Sequence, residues 1–396
     1  MKIYPDLSII FIGHVDHGKT TLAKALTGKW LDTYKEEQQK GITIRLGYID
    51  FSIYKDPTKE GYEAYTTQPC EGCEEIRKIS LVDAPGHESL IMVMLSGAAL
   101  VDAAVLVVAA NEGIMPQTIE HLKAAEIMGI KHFIVAQNKI DLVTKEQAIK
   151  NYEEIKKLID TYIIPISAIH NVNIDALLYY LTKIPLPKKE ENKDPLMVVA
   201  RSFDVNKPGT DPKKLVGGVL GGSLKQGKLK VGDEIEIRPG IKIENKWQPI
   251  YTEITSIRQG NYFVDTALPR GTLAIGTTLD PFLTREDNLA GQVVGYPDKL
   301  PPMWDKIEIE YSLFEKAVGT EEKVNPPKKG DKLLVGGLSI ISPALVIESK
   351  KDRLYLKLSK PLVLNENDRI VLAGKINGRW RIIGYGYLKG GNEYKL

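Results

Sequence analysis

Hydrophobic positions in the first half of the chain form short continuous runs that alternate with stretches of helical periodicity. The runs LSIIFI, IRKISLVDA, AAVLVVAA and HFIVAQN have the length and composition of buried strands. Between the last two, PQTIEHLKAAEIMG has helical spacing and ends at Gly129, and TKEQAIKNYEEIKKLID predicts another helix with Thr144 as its N-cap. Strands separated by crossover helices predict an α/β domain with a mostly parallel sheet and helices on both faces.

The pattern changes after KIPLPKKEENKDP, a proline- and charge-rich segment from Lys183 to Pro195 that is typical of a linker. Short apolar runs separated by glycine turns follow, such as LVGGVLGGSLKQGKLKVGDEIEIRPG and NLAGQVVGYP, and they favour β-barrel or β-sandwich modules. PDKLPPMWD divides this region again. We therefore predict a P-loop α/β domain at 1–187 and two β-barrel domains at 188–298 and 299–396, consistent with a length of 396 residues.

Composition limits the class of protein without identifying it. The chain is 43% hydrophobic and 26% charged, with a formal net charge of +2, as in ordinary globular proteins. It has no apolar run of membrane-spanning length and no signal peptide, so we expect no membrane partner. Its two cysteines are too few for a disulfide framework, which favours a reducing, cytoplasmic location.

The segment GHVDHGKTT lies between the first predicted strand and a predicted helix. It matches the phosphate-binding pattern G-x-x-x-x-G-K-[ST] with Gly13, Gly18, Lys19 and Thr20. In such a loop the backbone amides surround phosphate oxygens, the lysine reaches the β- and γ-phosphates, and the threonine hydroxyl binds Mg²⁺. The helix directs its positive end at the same anion. We therefore predict binding of a nucleoside triphosphate.

A second segment, NKID, indicates which base is bound. The Asp141 carboxylate can accept two hydrogen bonds from guanine, whereas adenine presents an acceptor at the matching ring nitrogen, which a carboxylate repels. Lys139 can lay its aliphatic stem along the purine, beside Asn138. Downstream, Ser167 and Ala168 occupy a turn after a strand and are suited to backbone contacts with the base oxygen. GTP and GDP are therefore the expected ligands.

Two further segments are predicted to sense the γ-phosphate. In LVDAPGH, Asp83 can hold Mg²⁺ through water, the Gly86 amide can bond the γ-phosphate, and His87 can orient an attacking water. In QQKGITIRLGY, the Thr43 hydroxyl could complete the magnesium shell, with the Gly41 backbone nearby. Loss of the γ-phosphate would release both segments, which is an order–disorder switch. No arginine is placed as a finger, so we expect slow turnover until a stimulating factor binds.

Taken together, GHVDHGKTT, GITI, DAPGH and NKID resemble the translational GTPases, and the first barrel is similar to the second domain of elongation factor Tu. A closer resemblance, over essentially the whole chain, is to the gamma-subunit family of archaeal and eukaryotic initiation factor 2. It rests on KGITIRLGY, DAPGHESLIMVMLSGAALVDAAVLVVAANE, RSFDVNKPGT, AIGTTLDPFLTREDNLAG and GRWRIIGYG. The resemblance implies a GTP-dependent carrier of initiator methionyl-tRNA that assembles with alpha and beta subunits and delivers to the small ribosomal subunit.

The resemblance also implies a set of site residues, transferred position by position. The nucleotide contacts it implies are Asp16, His17, Gly18, Lys19, Thr20, Thr21, Asn138, Lys139, Asp141, Ser167, Ala168 and Ile169. The magnesium contacts it implies are Asp16, Thr20, Gly41 and Thr43.

The chain departs from the family pattern at its cysteines. The family usually has two C-x-x-C pairs that form a zinc knuckle, whereas PCEGCEE keeps only Cys70 and Cys73. A closed zinc site wants four ligands, so we expect a loop with two free thiols rather than bound zinc.

The C-terminal end is locally basic, with eleven lysines and arginines against five acidic residues from Glu348 onward. Aromatic residues are interleaved with these charges, which suits contact with RNA, although an ordinary solvated barrel face fits as well. We expect Arg379 and Arg381 to help bind tRNA.

Two other functions remain open from the sequence. An elongation-factor-type GTPase would carry elongator aminoacyl-tRNA, and a binding scaffold would use GTP as a structural ligand with incidental hydrolysis.

Overall fold

The computed structural model describes residues 4–29, 47–83, 101–260, 262–338 and 340–394. The chain forms two compact units, residues 1–187 with 318–320 and residues 188–317 with 321–396. No helix among the described residues is long and apolar enough to cross a membrane.

The first unit is built on one seven-stranded sheet in the order β3-β2-β4-β1-β5-β6-β7. Its strands are β1 (Leu7–Ile12), β2 (Gly47–Lys55), β3 (Tyr65–Thr66), β4 (Glu74–Asp83), β5 (Ala103–Ala109), β6 (His132–Asn138) and β7 (Tyr162–Pro165). Strands β4, β1, β5, β6 and β7 run parallel to one another, while β2 pairs antiparallel with both β4 and β3. The predicted α/β class with a mostly parallel sheet is therefore confirmed.

Central strands β1 and β5 are buried at every residue, because both faces of a parallel sheet are covered. The described helices of this unit are α1 (Lys19–Thr27), α2 (Pro116–Ile127), α3 (Lys145–Leu158) and α4 (Ile174–Lys183). Helix α3 begins as predicted at Thr144, whose hydroxyl accepts from the Gln147 amide in a capping box. Helix α2 is followed by Gly129 in the left-handed region.

The second unit consists of two sets of strands. The first set is β8 (Leu196–Phe203), β9 (Val219–Gln226), β10 (Leu229–Lys230), β11 (Glu234–Ile243), β12 (Lys246–Gln259), β13 (Tyr262–Phe263), β14 (Thr266–Ala267), β15 (Leu273–Thr277) and β16 (Val293–Gly295). Within it, β11-β16-β8-β9-β15-β12 closes on itself through a pairing between β11 and β12. The second set is β17 (Met303–Leu313), β18 (Lys332–Gly337), β19 (Ile340–Ser349), β20 (Arg353–Val363), β21 (Arg369–Ile376) and β22 (Arg379–Glu393).

This second set forms a closed barrel in the order β17-β20-β19-β18-β21-β22. Closure leaves no free strand edge, and alternate side chains fill the interior of each barrel. The two predicted β-barrels are thus confirmed, while the boundaries proposed at residues 187 and 298 stay a prediction.

Candidate nucleotide-binding site

The parallel strands of the first unit bring four separate loops to one edge of the sheet. Strands β1, β5, β6 and β7 all end at that edge, so the segments after Ile12, Ala109, Asn138 and Pro165 converge there. Ligands of open α/β sheets bind outside the carboxyl ends of the strands. The predicted phosphate and guanine segments are two of these four loops.

The phosphate loop, residues 13–18, has a backbone that only glycine tolerates at two points. Gly13 has φ 135° and Gly18 has φ 92°. A Cβ atom on Gly13 would lie 2.3 Å from the Val107 carbonyl oxygen, and one on Gly18 would lie 2.3 Å from Asn138 Nδ2. Both glycines of the motif are thus required by close packing as well as by dihedral angle.

The loop encloses a cradle that fits an anion. Helix α1 follows Gly18 with no side-chain cap, so its first backbone amides point toward the loop. The Lys19 ammonium lies within the loop and donates to the carbonyl oxygens of Gly13 at 3.1 Å and His14 at 2.7 Å. A buried lysine whose ammonium lies inside this loop and donates to carbonyl oxygens there is well suited to a phosphate oxygen.

Two buried polar residues of α2 support the phosphate loop from behind. The Gly13 amide donates to His121 Nδ1 at 3.1 Å, and the Val15 amide makes a longer contact, 3.5 Å, with Gln117 Oε1. His121 is fully buried, and burial lowers its pKa to about 3, with the positive charge of Lys19 as a further cause. Our sequence analysis missed both residues, although two polar residues four apart on the buried face of a helix were a usable signal.

His17 lies in the loop with its ring fully buried. Its Nδ1–H donates to the Val107 carbonyl at 3.3 Å, and burial lowers its pKa to about 4. The neighbouring Asp16 is exposed, and Thr20 and Thr21 are half-buried at the start of α1. A carboxylate and a hydroxyl are oxygen donors of the kind that Mg²⁺ prefers, so Asp16 and Thr20 fit this ion.

Asn138 connects the phosphate loop to the guanine loop. Its Nδ2 donates to the His17 carbonyl at 3.0 Å, and its Oδ1 accepts from the Ala168 amide at 3.0 Å. This side chain is 3% exposed, so both hydrogen bonds are shielded from water. The Ala168 amide, which we expected to contact the base oxygen, is therefore engaged with Asn138 in this structure.

The guanine loop is more open. Lys139 has φ 61°, and its ammonium lies 3.2 Å from Glu112 Oε1. The Asp141 side chain is 25% exposed, and its carboxylate lies 3.8 Å from Nε2 of His170. On the other side of the loop Ser167 is buried, whereas Ile169 is 70% exposed. An exposed apolar side chain at this edge suits contact with a flat base.

Several predicted residues fall outside the described part of the chain. They are Gly41, Thr43, Gly86 and His87, and the same holds for the side chain of Asp83, whose backbone ends β4. Their roles stay predictions.

The cysteine pair differs from our expectation of two free thiols. Cys70 and Cys73 are joined as a disulfide, which corrects that expectation. The Asp56 carboxylate lies close by, with its oxygen and both sulfurs within 4.8 Å of one another. Within the described residues this makes three donors, two of which are bonded to each other, and such a set does not fit a closed zinc site.

At the C-terminal end, the two predicted tRNA-contacting arginines differ in exposure. Arg379 is exposed at the start of β22, whereas Arg381 is only 9% exposed. The Arg369 guanidinium lies 5.8 Å from the ring centre of Tyr385 and 5.5 Å from that of Tyr387, and it donates to the Tyr387 hydroxyl at 3.0 Å. Solvent thus reaches Arg379 far more readily than Arg381.

Comparison with known proteins matches both ends of the chain to family models. Residues 5–186 match the elongation factor Tu GTP binding domain, and residues 305–388 match the C-terminal domain of initiation factor eIF2 gamma. Translation initiation factor 2 subunit gamma of Thermococcus onnurineus is 50% identical over 97% of this chain and 97% of its own length. The protein of the same name from Methanocaldococcus jannaschii is 48% identical over 97% of this chain and 98% of its own length.

Solved structures agree on the fold. Translation elongation factor SelB from Methanococcus maripaludis, in complex with the GTP analogue GPPNHP, superposes with a TM-score of 0.74. The match covers 99% of this chain and 80% of that one. Because the identity is only 23%, the match supports the fold and no more.

Proposed function

The chain belongs to the gamma-subunit family of translation initiation factor 2, and we propose that its nucleotide state controls the binding and release of initiator methionyl-tRNA. Family membership makes it a GTP-dependent translation initiation factor subunit and a translational GTPase, which hydrolyses GTP to GDP. The further steps are our proposal: assembly with alpha and beta subunits, binding of initiator methionyl-tRNA and delivery to the small ribosomal subunit.

The observation that carries this proposal is the double hydrogen bond of Asn138. It joins the carbonyl of His17 in the phosphate loop to the amide of Ala168 beside the guanine loop. A ligand that engages both loops must carry phosphate at one end and a base at the other. The Asp141 carboxylate beyond this link, on a side chain that is 25% exposed, supports guanine as the base.

In this proposal, five described side chains of the site have a specific role. Lys19 leaves the carbonyl oxygens of Gly13 and His14 and binds the β- and γ-phosphates, together with the amides at the start of α1. Asp141 selects guanine, and Lys139 covers its face. Asp16 and Thr20 would hold Mg²⁺, and the ion would supply positive charge against the phosphates.

Hydrolysis in this proposal is positioning and charge stabilisation. His87 orients the attacking water, and the Gly86 amide contacts the γ-phosphate. Thr43, Gly41 and Asp83 would also hold Mg²⁺, Asp83 through water. With the γ-phosphate gone, the segments that carry these residues lose their contacts, and the tRNA leaves.

Filter binding of initiator methionyl-tRNA tests the proposal on the full chain, alone and with its candidate alpha and beta subunits. We expect tighter binding with a non-hydrolysable GTP analogue than with GDP, and weaker competition by elongator aminoacyl-tRNA. Equal affinity in both nucleotide states would contradict the proposal and favour a scaffold. Preference for elongator tRNA would favour an elongation-type carrier.

Two variants extend this test. His87→Ala should keep GTP affinity and slow factor-stimulated hydrolysis and tRNA release, whereas His132→Ala, at the exposed start of β6, should change neither. Arg379→Ala should weaken tRNA binding and reduce its salt slope by about 1, because one phosphate contact is lost.

A further inference from the structure

Glu112, in the loop after β5, lies between the two loops that would hold the nucleotide. Its Oε1 is 3.2 Å from the Lys139 ammonium in the guanine loop. Its Oε2 is 3.8 Å from Nε2 of His17 in the phosphate loop. One carboxylate thus contacts both loops from a third strand end.

The contact with Lys139 is the closer of the two and is partly shielded. The side chains of Lys139 and Glu112 are 26% and 33% exposed, so the pair is stronger than a fully solvated one and still accessible to a ligand. Lys139 has a left-handed backbone, φ 61°, which turns its side chain away from the direction an ordinary strand end would give. Its ammonium is anchored by the carboxylate of Glu112.

Resting on the base-binding role given to Lys139 above, we propose that Glu112 is a positioning residue for guanine. It holds the Lys139 stem across the purine face, and it does so from a position where its negative charge opposes the phosphates. The carboxylate therefore strengthens binding of the base and weakens binding of a bare polyphosphate. A residue that merely supports the fold would change binding of the base and of polyphosphate in the same direction. A positioning role therefore predicts opposite effects on the two ligands.

Glu112→Gln removes the charge and keeps the shape of the side chain. We expect about fivefold faster dissociation of fluorescent GDP from the full chain, because the anchor of Lys139 is weakened. Inorganic tripolyphosphate, which has no base, should bind no more weakly than to the wild type. Glu126→Gln is the matched control, since that carboxylate pairs with Lys123 on the exposed face of α2 and should leave both readouts unchanged.

A double-mutant cycle with Lys139→Met tests the route of the effect, because methionine keeps an apolar stem and lacks the ammonium. If Glu112 acts through Lys139, adding Glu112→Gln to Lys139→Met should cause no further acceleration. Two results would overturn the proposal. One is a double variant whose GDP dissociation rate is raised by the product of the two single effects. The other is a loss of tripolyphosphate affinity in Glu112→Gln as large as the loss for GDP.

Failure of the base-site assignment would look different. In that case Asp141→Asn would leave the preference for guanine unaltered, whatever Glu112→Gln does to GDP dissociation. Tripolyphosphate binding, which needs no base site, would still show whether the Glu112 charge opposes the phosphates.

Discussion

The phosphate loop and the guanine loop lie at the same edge of the same sheet, and they are stabilised by different kinds of contact. The phosphate loop has two buried residues, Gly13 and His17, and its backbone is bonded to side chains from distant strands and helices, His121 and Asn138 among them. The guanine loop is held by partly exposed charges, Lys139 with Glu112 and Asp141 with His170. A change in the first loop should therefore affect stability and affinity together, and a change in the second should affect nucleotide binding with little change in stability.

Asp141→Asn should give the largest effect and the clearest separation of specificity from stability. The amide donates where the carboxylate accepted, so the GDP-to-XDP affinity ratio should fall on the order of 10⁴-fold. Because Asp141 is exposed, the free energy of unfolding should change by less than about 0.5 kcal/mol. Competition against a fluorescent GDP measures the ratio, and Asp160→Asn, another exposed aspartate, serves as the control. A destabilised Asp141→Asn protein would show that the guanine loop also supports the fold.

Gly13→Ala should destabilise the first unit. The new Cβ would meet the Val107 carbonyl oxygen at 2.3 Å, and φ 135° is a glycine-only backbone. Strain and clash together should lower the free energy of unfolding by about 3 kcal/mol or more. Gly28→Ala is the matched control: Gly28 also has a positive φ, 73°, but its Cβ would meet nothing within 4 Å.

Urea unfolding followed in the helix band of circular dichroism measures both glycine variants, because the described α-helices all lie in the first unit. Gly28→Ala should lose only about 1 kcal/mol, the price of the left-handed backbone. Equal losses in the two variants would mean that packing against β5 contributes nothing.

Asn138→Ala should uncouple the two loops. It leaves the His17 carbonyl and the Ala168 amide without their partner, at about 1–3 kcal/mol for each buried group. GDP affinity should fall about a hundredfold. Asn151→Ala removes another buried asparagine, bonded to Gln137, and should lower stability while GDP affinity stays within about threefold of the wild type. Comparable losses of affinity in both variants would argue against Asn138 as a specific link.

The sequence predicts those parts of the site that depend on residues near one another in the chain, and it does not predict contacts between distant residues. The glycine spacing and the NKID segment constrain the local backbone and chemistry, so the positions of both loops followed from residues near in the chain. His121 is 108 residues from Gly13, and its contact depends on which face of α2 packs behind the loop, which local spacing does not specify. The role of Glu112 was not predicted either, because its partner Lys139 is 27 residues away in the chain. Arg381 begins a run of four buried residues in β22, and only the barrel geometry showed that it is mostly buried.

His121 gives the smallest expected effect and links the buried loop to pH. His121→Leu leaves the Gly13 amide unpaired and should reduce both GDP affinity and stability by about 1–3 kcal/mol. In His121→Asn the amide oxygen can take the place of Nδ1, so this variant should lose less of each. Equal losses would show that the Gly13 hydrogen bond contributes little, and that the volume of the imidazole is what supports the phosphate loop.

The same two variants separate the hydrogen bond from the charge. Burial lowers the pKa of His121 to about 3 in the folded protein, whereas an unfolded histidine has its ordinary pKa of about 6.5. Below pH 6.5, His121 is therefore protonated in the unfolded chain and stays neutral in the folded protein. The free energy of unfolding falls as the pH is lowered toward 3. At pH 5 this one group should account for about 2 kcal/mol of lost stability. Both His121→Asn and His121→Leu should remove that amount from the difference in unfolding free energy between pH 7.5 and pH 5. An unchanged pH dependence in both would mean that His121 takes up a proton in the folded protein as readily as in the unfolded chain, and that it is not shielded behind the phosphate loop.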